Sequence, residues 1–142
     1  MNLTVEEKQE HLEIIKDISN NLEWWVDKWK PFNYNLDYTE GSINLIDDLL
    51  MDFHQDYLDG NFDFERFEYQ SYYYGYYLIK VIENNYGEDI GVLSFDNDDN
   101  INYNVNGKII ILPNIWVMKM LISGKSDSIL FHYKRTVSKY IK

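Results

Sequence analysis

The sequence predicts an α+β fold with three N-terminal helices, a three-stranded antiparallel meander and then two C-terminal helices. Three observations lead there. Apolar residues recur at spacings of three and four as far as Gly87, short β-favouring runs separated by Asn-, Asp- and Gly-containing turns follow, and helical spacing returns after Pro113. Helices segregated from an antiparallel sheet define this class. With 142 residues and 17.1 kDa, a single domain over residues 1–142 is expected.

Thr4-Val-Glu-Glu7 fits a capping box, in which the Thr hydroxyl and the Glu carboxylate satisfy free N–H groups at a helix start. Ile15, Ile18, Leu22, Trp25, Val26 and Trp29 then form one apolar stripe, which Pro31 ends. Trp25 and Trp29 belong to this stripe and read as core, whereas Trp24 lies off it and reads as a surface anchor. The second helix runs from about Ser42 to Tyr57, with Ile46, Leu49, Leu50, Phe53 and Tyr57 on one side and Gly60 beyond its end. The third spans about Phe64 to Asn85 and closes at Tyr86-Gly87, where Gly admits a left-handed cap.

Three strand-like runs follow, Ile90 to Phe95, Ile101 to Val105 and Lys108 to Leu112, and Asn106-Gly107 is a strong hairpin signal. Pro113 ends them. Helices over about Asn114 to Ser123 and Asp127 to Tyr140 are separated by Gly124, with Trp116 expected to pack between the hairpin and these helices.

Composition narrows the function. The chain carries a formal charge of -11, which repels nucleic-acid phosphates and anionic lipid, so neither nucleic acid nor membrane is an expected partner. Aromatic residues at 17% and apolar residues at 45% exclude a disordered acidic chain. There is no Cys, which removes disulfides and thiolate chemistry and suits a reducing compartment. The N-terminus lacks the apolar core of a secretion signal, and no run reaches the roughly 20 apolar residues of a membrane span, so a cytoplasmic protein is expected.

Charge is polarised along the chain. Residues 37–68 hold ten acidic side chains against Arg66 alone, a net of -9, whereas residues 107–142 hold one acid, Asp127, against seven Lys and Arg, a net of +6. Two readings stand: the two regions lie side by side and neutralise each other, or the acidic one faces a partner. On the second helix, Asp48, Asp52 and Asp59 project opposite the apolar stripe with Asp56 at its edge, forming one negative ridge. Such a ridge is either a solvated face or a docking strip for Lys and Arg on another protein.

The third helix is apolar on two sides. Phe67, Ser71, Tyr74, Gly75, Leu78, Val81 and Ile82 make one packed face, with Gly75 admitting a neighbouring backbone, while Tyr69, Tyr72, Tyr73 and Tyr76 point elsewhere. If covered, those four rings mark a central helix buried on both sides. If exposed, they have the composition of a protein-binding hot spot.

Local signals for chemistry are missing. His11, His54 and His132 lie in three separate helical stretches without metal spacing, and His54 reads as a boundary residue. No nucleophile elbow, phosphate loop or dinucleotide fingerprint occurs. Asp96 to Asn102 imitates the first half of a calcium loop, but its sixth and twelfth positions are Ile101 and Gly107 instead of Gly and Glu, so a turn is expected there. No catalytic residue, metal or cofactor is therefore assigned.

The segments Tyr38-Thr-Glu-Gly-Ser42-Ile-Asn-Leu-Ile-Asp47, Tyr74-Gly75-Tyr-Tyr-Leu-Ile-Lys-Val-Ile-Glu83-Asn-Asn-Tyr-Gly87, Pro113-Asn-Ile-Trp116 and Gly124-Lys-Ser-Asp127-Ser resemble a family of small uncharacterised bacterial domains, over about residues 36–134. The resemblance implies an α+β domain with Gly in its central helix, a hairpin and a closing helix pair, and brings no agreed activity. In size and charge the chain also resembles immunity proteins, which neutralise a cognate toxin. The expectation is thus a non-enzymatic binding protein that covers a basic site on a toxin through Asp48, Asp52, Asp56, Asp59, Tyr69, Tyr72, Tyr73 and Tyr76. The alternatives are a module that homodimerises through its Tyr-rich helix, and an enzyme whose site is assembled from distant segments.

Overall fold

The structure is a computed structural model that describes residues 4–95, 100–105, 107, 109–111 and 113–141. Its first helix, α1, spans Val5–Asp27 and opens with the anticipated capping box: Thr4 Oγ1 accepts from the Glu7 N–H at 3.1 Å, and Glu7 Oε1 accepts from the Thr4 N–H at 3.4 Å. Helix α2 spans Ile43–Leu58 after a short 3-10 turn at Glu40–Ser42, and α3 spans Phe64–Tyr86. Strands β1 (Gly91–Phe95) and β2 (Ile101–Val105) form an antiparallel hairpin in which Gly91 faces Val105 and Phe95 faces Ile101. Helices α4 (Pro113–Ser123) and α5 (Ile129–Thr136) close the chain, with a 3-10 turn at Gly124–Asp127 between them and a widened π turn at Val137–Ile141 after them.

The fold is α+β with the expected element order, but the sheet is smaller than a full three-stranded meander. Its regular part is the β1–β2 hairpin. Of the third strand expected over Lys108 to Leu112, Ile109–Ile111 run as an edge segment antiparallel beside β2 with Ile111 opposite Tyr103, and Lys108 and Leu112 lie outside the described residues. The last helical stretch reaches as far as expected, since α5 passes directly into the π turn that ends at Ile141. The calcium-like turn at Asp96 to Asn102 lies partly outside the described residues.

Helix α3 is the centre of the molecule. It packs against α4 on one side and α1 on another, and α2 lies against α4 and α5. Of its 23 residues, eleven are buried, including Tyr73, Tyr74, Tyr76 and Tyr77, so burial on two sides explains why its sequence is apolar nearly all round. Gly75 makes the tight crossing possible. A Cβ at this position would stand 3.0 Å from the backbone nitrogen of Asn114, at the start of α4. Asn114 fastens the same corner to the hairpin, its Oδ1 accepting from the Ile101 N–H at 2.9 Å. Strand β2 alternates accordingly, with Ile101, Tyr103 and Val105 buried and Asn102 and Asn104 half-buried.

Trp25 is fully enclosed and carries the α1–α3 contact. Its ring stacks on Tyr73 at 5.9 Å, meets Tyr74 edge-on at 4.9 Å, and its indole N–H donates to Gln70 Oε1 at 3.0 Å. Trp29 is half-buried and Trp24, off the stripe, is exposed. Trp116 is half-buried and stacks on His132 at 5.6 Å.

Candidate functional site

On α2 the carboxylates divide into two kinds. Asp47 points inward and organises the fold: its Oδ2 accepts from Ser128 Oγ at 2.5 Å and its Oδ1 from the Ile129 N–H at 2.9 Å, which caps the free amide groups at the start of α5. Burial pushes this carboxyl above its ordinary range, against the lowering effect of those hydrogen bonds. Asp48, Asp52, Asp56 and Asp59 point outward and are all exposed. Successive spacings of four, four and three keep them within one side of the helix. None forms an ion pair among the described residues, although Gln55 Nε2 donates to Asp59 Oδ1 at 3.0 Å.

The acidic and basic regions lie side by side, since α2 packs against α4 and α5. Lys119, Lys125, Lys134, Arg135 and Lys139 are exposed, and among the described residues none of them is ion-paired with an α2 carboxylate. The acidic region touches the basic end through Asp47 and backbone amides. The ridge is felt at Tyr34: burial raises its phenol pKa, and Asp52 and Asp48 raise it further.

The four tyrosines proposed as a surface separate. Tyr73 and Tyr76 retain 4% and 7% of their exposure and cannot touch a partner; the first is held by Trp25, and the second lies beneath Lys80, whose ammonium sits 5.2 Å from the ring. This corrects the expectation that all four could line an interface. Tyr72 is half-buried. Tyr69 is 48% exposed, and its phenol donates to Asp17 Oδ2 at 2.6 Å. That bond, with a further one to Tyr73, holds the phenol proton well beyond the usual tyrosine range.

Tyr69 brings the two sequence-derived sets together. It lines a cleft of about 530 Å³ with Asp56 of the ridge, walled by Phe53, Phe62 and Phe67 and rimmed by Asp63 and Arg66. Phe62 and Phe67 lie 5.2 Å apart and Phe53 and Phe67 5.3 Å apart, centroid to centroid. Asp63 is fixed as the N-cap of α3, its Oδ1 accepting from the Arg66 N–H at 3.3 Å. The same Tyr69 also lines a smaller cleft of about 330 Å³ with Glu10, Glu13, Ile14 and Asp17 of α1. Net charge by segment does not single out these α1 acids, but the spacings of three and four between Glu10, Glu13 and Asp17 are the sequence sign of a shared helix face. Phe62 had no such sign, since it stands in a loop.

A further cleft, of about 590 Å³, lies elsewhere, between α1 and the second half of α3. Its polar groups are engaged with one another: the Tyr38 phenol donates to Glu23 Oε1 at 2.5 Å, Lys80 pairs with Glu83 at 3.1 Å, and Asn84 and Asn85 donate to the Tyr38 carbonyl. Tyr38 itself sits at a φ of 64°, held by its N–H donating to the Tyr77 hydroxyl at 3.0 Å.

The histidines do not converge. His54 Nδ1 lies 2.6 Å from the Leu121 carbonyl oxygen and is therefore the protonated nitrogen there, joining α2 to the end of α4. His132 Nε2 stands 3.5 Å from Asp127 Oδ1, and no histidine lines the clefts described above. Among the described residues no group of three or more His, Asp or Glu side chains is placed to hold a metal ion, and no helix is long and apolar enough to cross a membrane.

No protein-family model, curated protein or solved structure matches the chain.

Proposed function

We propose that this protein is a non-enzymatic, cytoplasmic binding protein whose acidic α2 ridge docks on a basic site of another protein, in the manner of an immunity or antitoxin-like inhibitor. One observation supports it above all. Asp48, Asp52, Asp56 and Asp59 stand exposed in a row without an ion-pair partner among the described residues, although the same chain carries exposed cations at its other end. A row of carboxylates left in this state is costly to hold together by self-repulsion, and it gives a positively charged partner fast, oriented encounter. The exposed Tyr69 supplies ring area beside Asp56 of the ridge, Tyr72 is half-buried, and Tyr73 and Tyr76 serve the core.

Such an inhibitor covers the partner's basic site and needs neither metal nor cofactor. Its expected compartment follows from a chain without Cys, which tolerates a reducing environment. Co-expression with the product of the neighbouring gene tests the reading: a complex that co-purifies, together with restored growth of cells poisoned by that product, is the expected result. Absence of both the complex and the rescue overturns it.

A further inference from the structure

We infer that Tyr69 is the dividing wall between two pockets that each receive a lysine or arginine side chain from one basic segment of a partner protein. The inference rests on the proposed function above and assigns the point at which the partner is anchored. The larger pocket offers the apolar stem of such a side chain the rings of Phe53, Phe62 and Phe67, with Asp56 and Asp63 at the mouth for its charged head. The smaller one offers Ile14 as floor and Glu10, Glu13 and Asp17 as rim. Between them the two clefts present five carboxylates and a single cation, Arg66, so the sign of the occupant is set.

Tyr69 is suited to divide them. Its bond to Asp17 and its edge-on contact with Tyr73 at 5.6 Å hold the ring where it lines both clefts, with little side-chain freedom left to lose on binding. An aromatic face next to carboxylates is a site for a cation with an apolar stem, which distinguishes it from the rest of the ridge. Asp48 and Asp52 line neither of these clefts and act on encounter; the Tyr69 wall acts on residence.

The test uses a fluorescently labelled octalysine peptide against the full chain, with binding measured at low salt and contacts mapped by amide shifts. The expected result is that shifts centre on Asp17, Asp56, Phe62 and Tyr69, that Tyr69→Ala weakens binding about tenfold, and that Tyr69→Phe weakens it about twofold because the wall remains. Both variants alter an exposed side chain, and unchanged circular dichroism confirms that they fold. If octalysine binds wild type and Tyr69→Ala equally, with shifts confined to Asp48 and Asp52, the anchor is overturned while the acidic ridge keeps its proposed role. If it does not bind at all, the anchor and the ridge fall together.

Discussion

The phenol of Tyr69 donates a 2.6 Å hydrogen bond to the carboxylate of Asp17, joining an exposed ring on α3 to an exposed acid on α1 across 52 positions of sequence. The two groups act as a unit. The carboxylate keeps the phenol protonated, and the phenol fixes the carboxylate where it lines one cleft while the ring borders the other. In a double-mutant cycle, Tyr69→Phe and Asp17→Asn are each expected to cost about 0.5–1 kcal/mol, with a coupling of about 0.5 kcal/mol, as fits a charge-assisted bond screened by solvent. Urea unfolding of the four proteins measures it; strictly additive effects would show that the bond does not form in solution.

Reversing Asp48 and Asp52 to Lys places two cations in the middle of the ridge. Association with a basic partner should then slow about tenfold at low salt, and the difference should shrink as salt rises past the point where the screening length is about 8 Å. Dissociation should change little, because neither residue lines the Tyr69 clefts. Stopped-flow association at two ionic strengths separates the two constants, and a change confined to dissociation would contradict the assignment of these residues to encounter.

Asp47, one residue away from Asp48, should behave in the opposite manner. Asp47→Ala removes the acceptor for the first amides of α5 and should destabilise the fold by about 1–3 kcal/mol, whereas Asp48→Ala should stay within about 0.5 kcal/mol. The pH dependence has a defined sign. Burial raises the Asp47 carboxyl above its ordinary value of 3.8, so as pH climbs through 3.8 the unfolded chain loses this proton first and stability from this group falls until the folded carboxyl has also ionised. Asp47→Asn keeps an oxygen acceptor without that ionisation, so wild type should lose stability relative to Asp47→Asn across this window and run parallel to it above. Chemical denaturation at several pH values reads the difference directly.

These particulars show how much of the molecule local sequence could reveal. The capping box at Thr4, the α1 stripe, the orientation of the α2 acids and the close approach at Gly75 depend on residues within a few positions of one another, and each is present in the structure. The fate of the tyrosines was not available in the same way. Tyr69 and Tyr73 are one helical turn apart, and the first is exposed while the second is covered only because Trp25, some fifty positions earlier, stacks upon it. The aromatic cleft was hidden for the same reason: it is closed by Phe62 from a loop and by side chains from two helices.

Gly75 offers the sharpest test of the fold itself. In an exposed helix interior, Gly→Ala stabilises by roughly 1 kcal/mol through propensity. Here the added methyl would stand 3.0 Å from the Asn114 nitrogen and 3.4 Å from both the Asn114 Cα and the Pro113 carbonyl carbon. All three are backbone atoms, so relief requires moving the start of α4. That movement would in turn lengthen the bond from the Ile101 N–H to Asn114 Oδ1 that ties α4 to the hairpin. Overpacking of this kind costs about 1–3 kcal/mol, enough to reverse the propensity gain, so Gly75→Ala should be net destabilising by about 1 kcal/mol and Gly75→Val by considerably more. Thermal and urea unfolding provide the measurement, and amide exchange should show the loss first at Ile101. A Gly75→Ala protein more stable than wild type would mean that α4 does not cross α3 at this point.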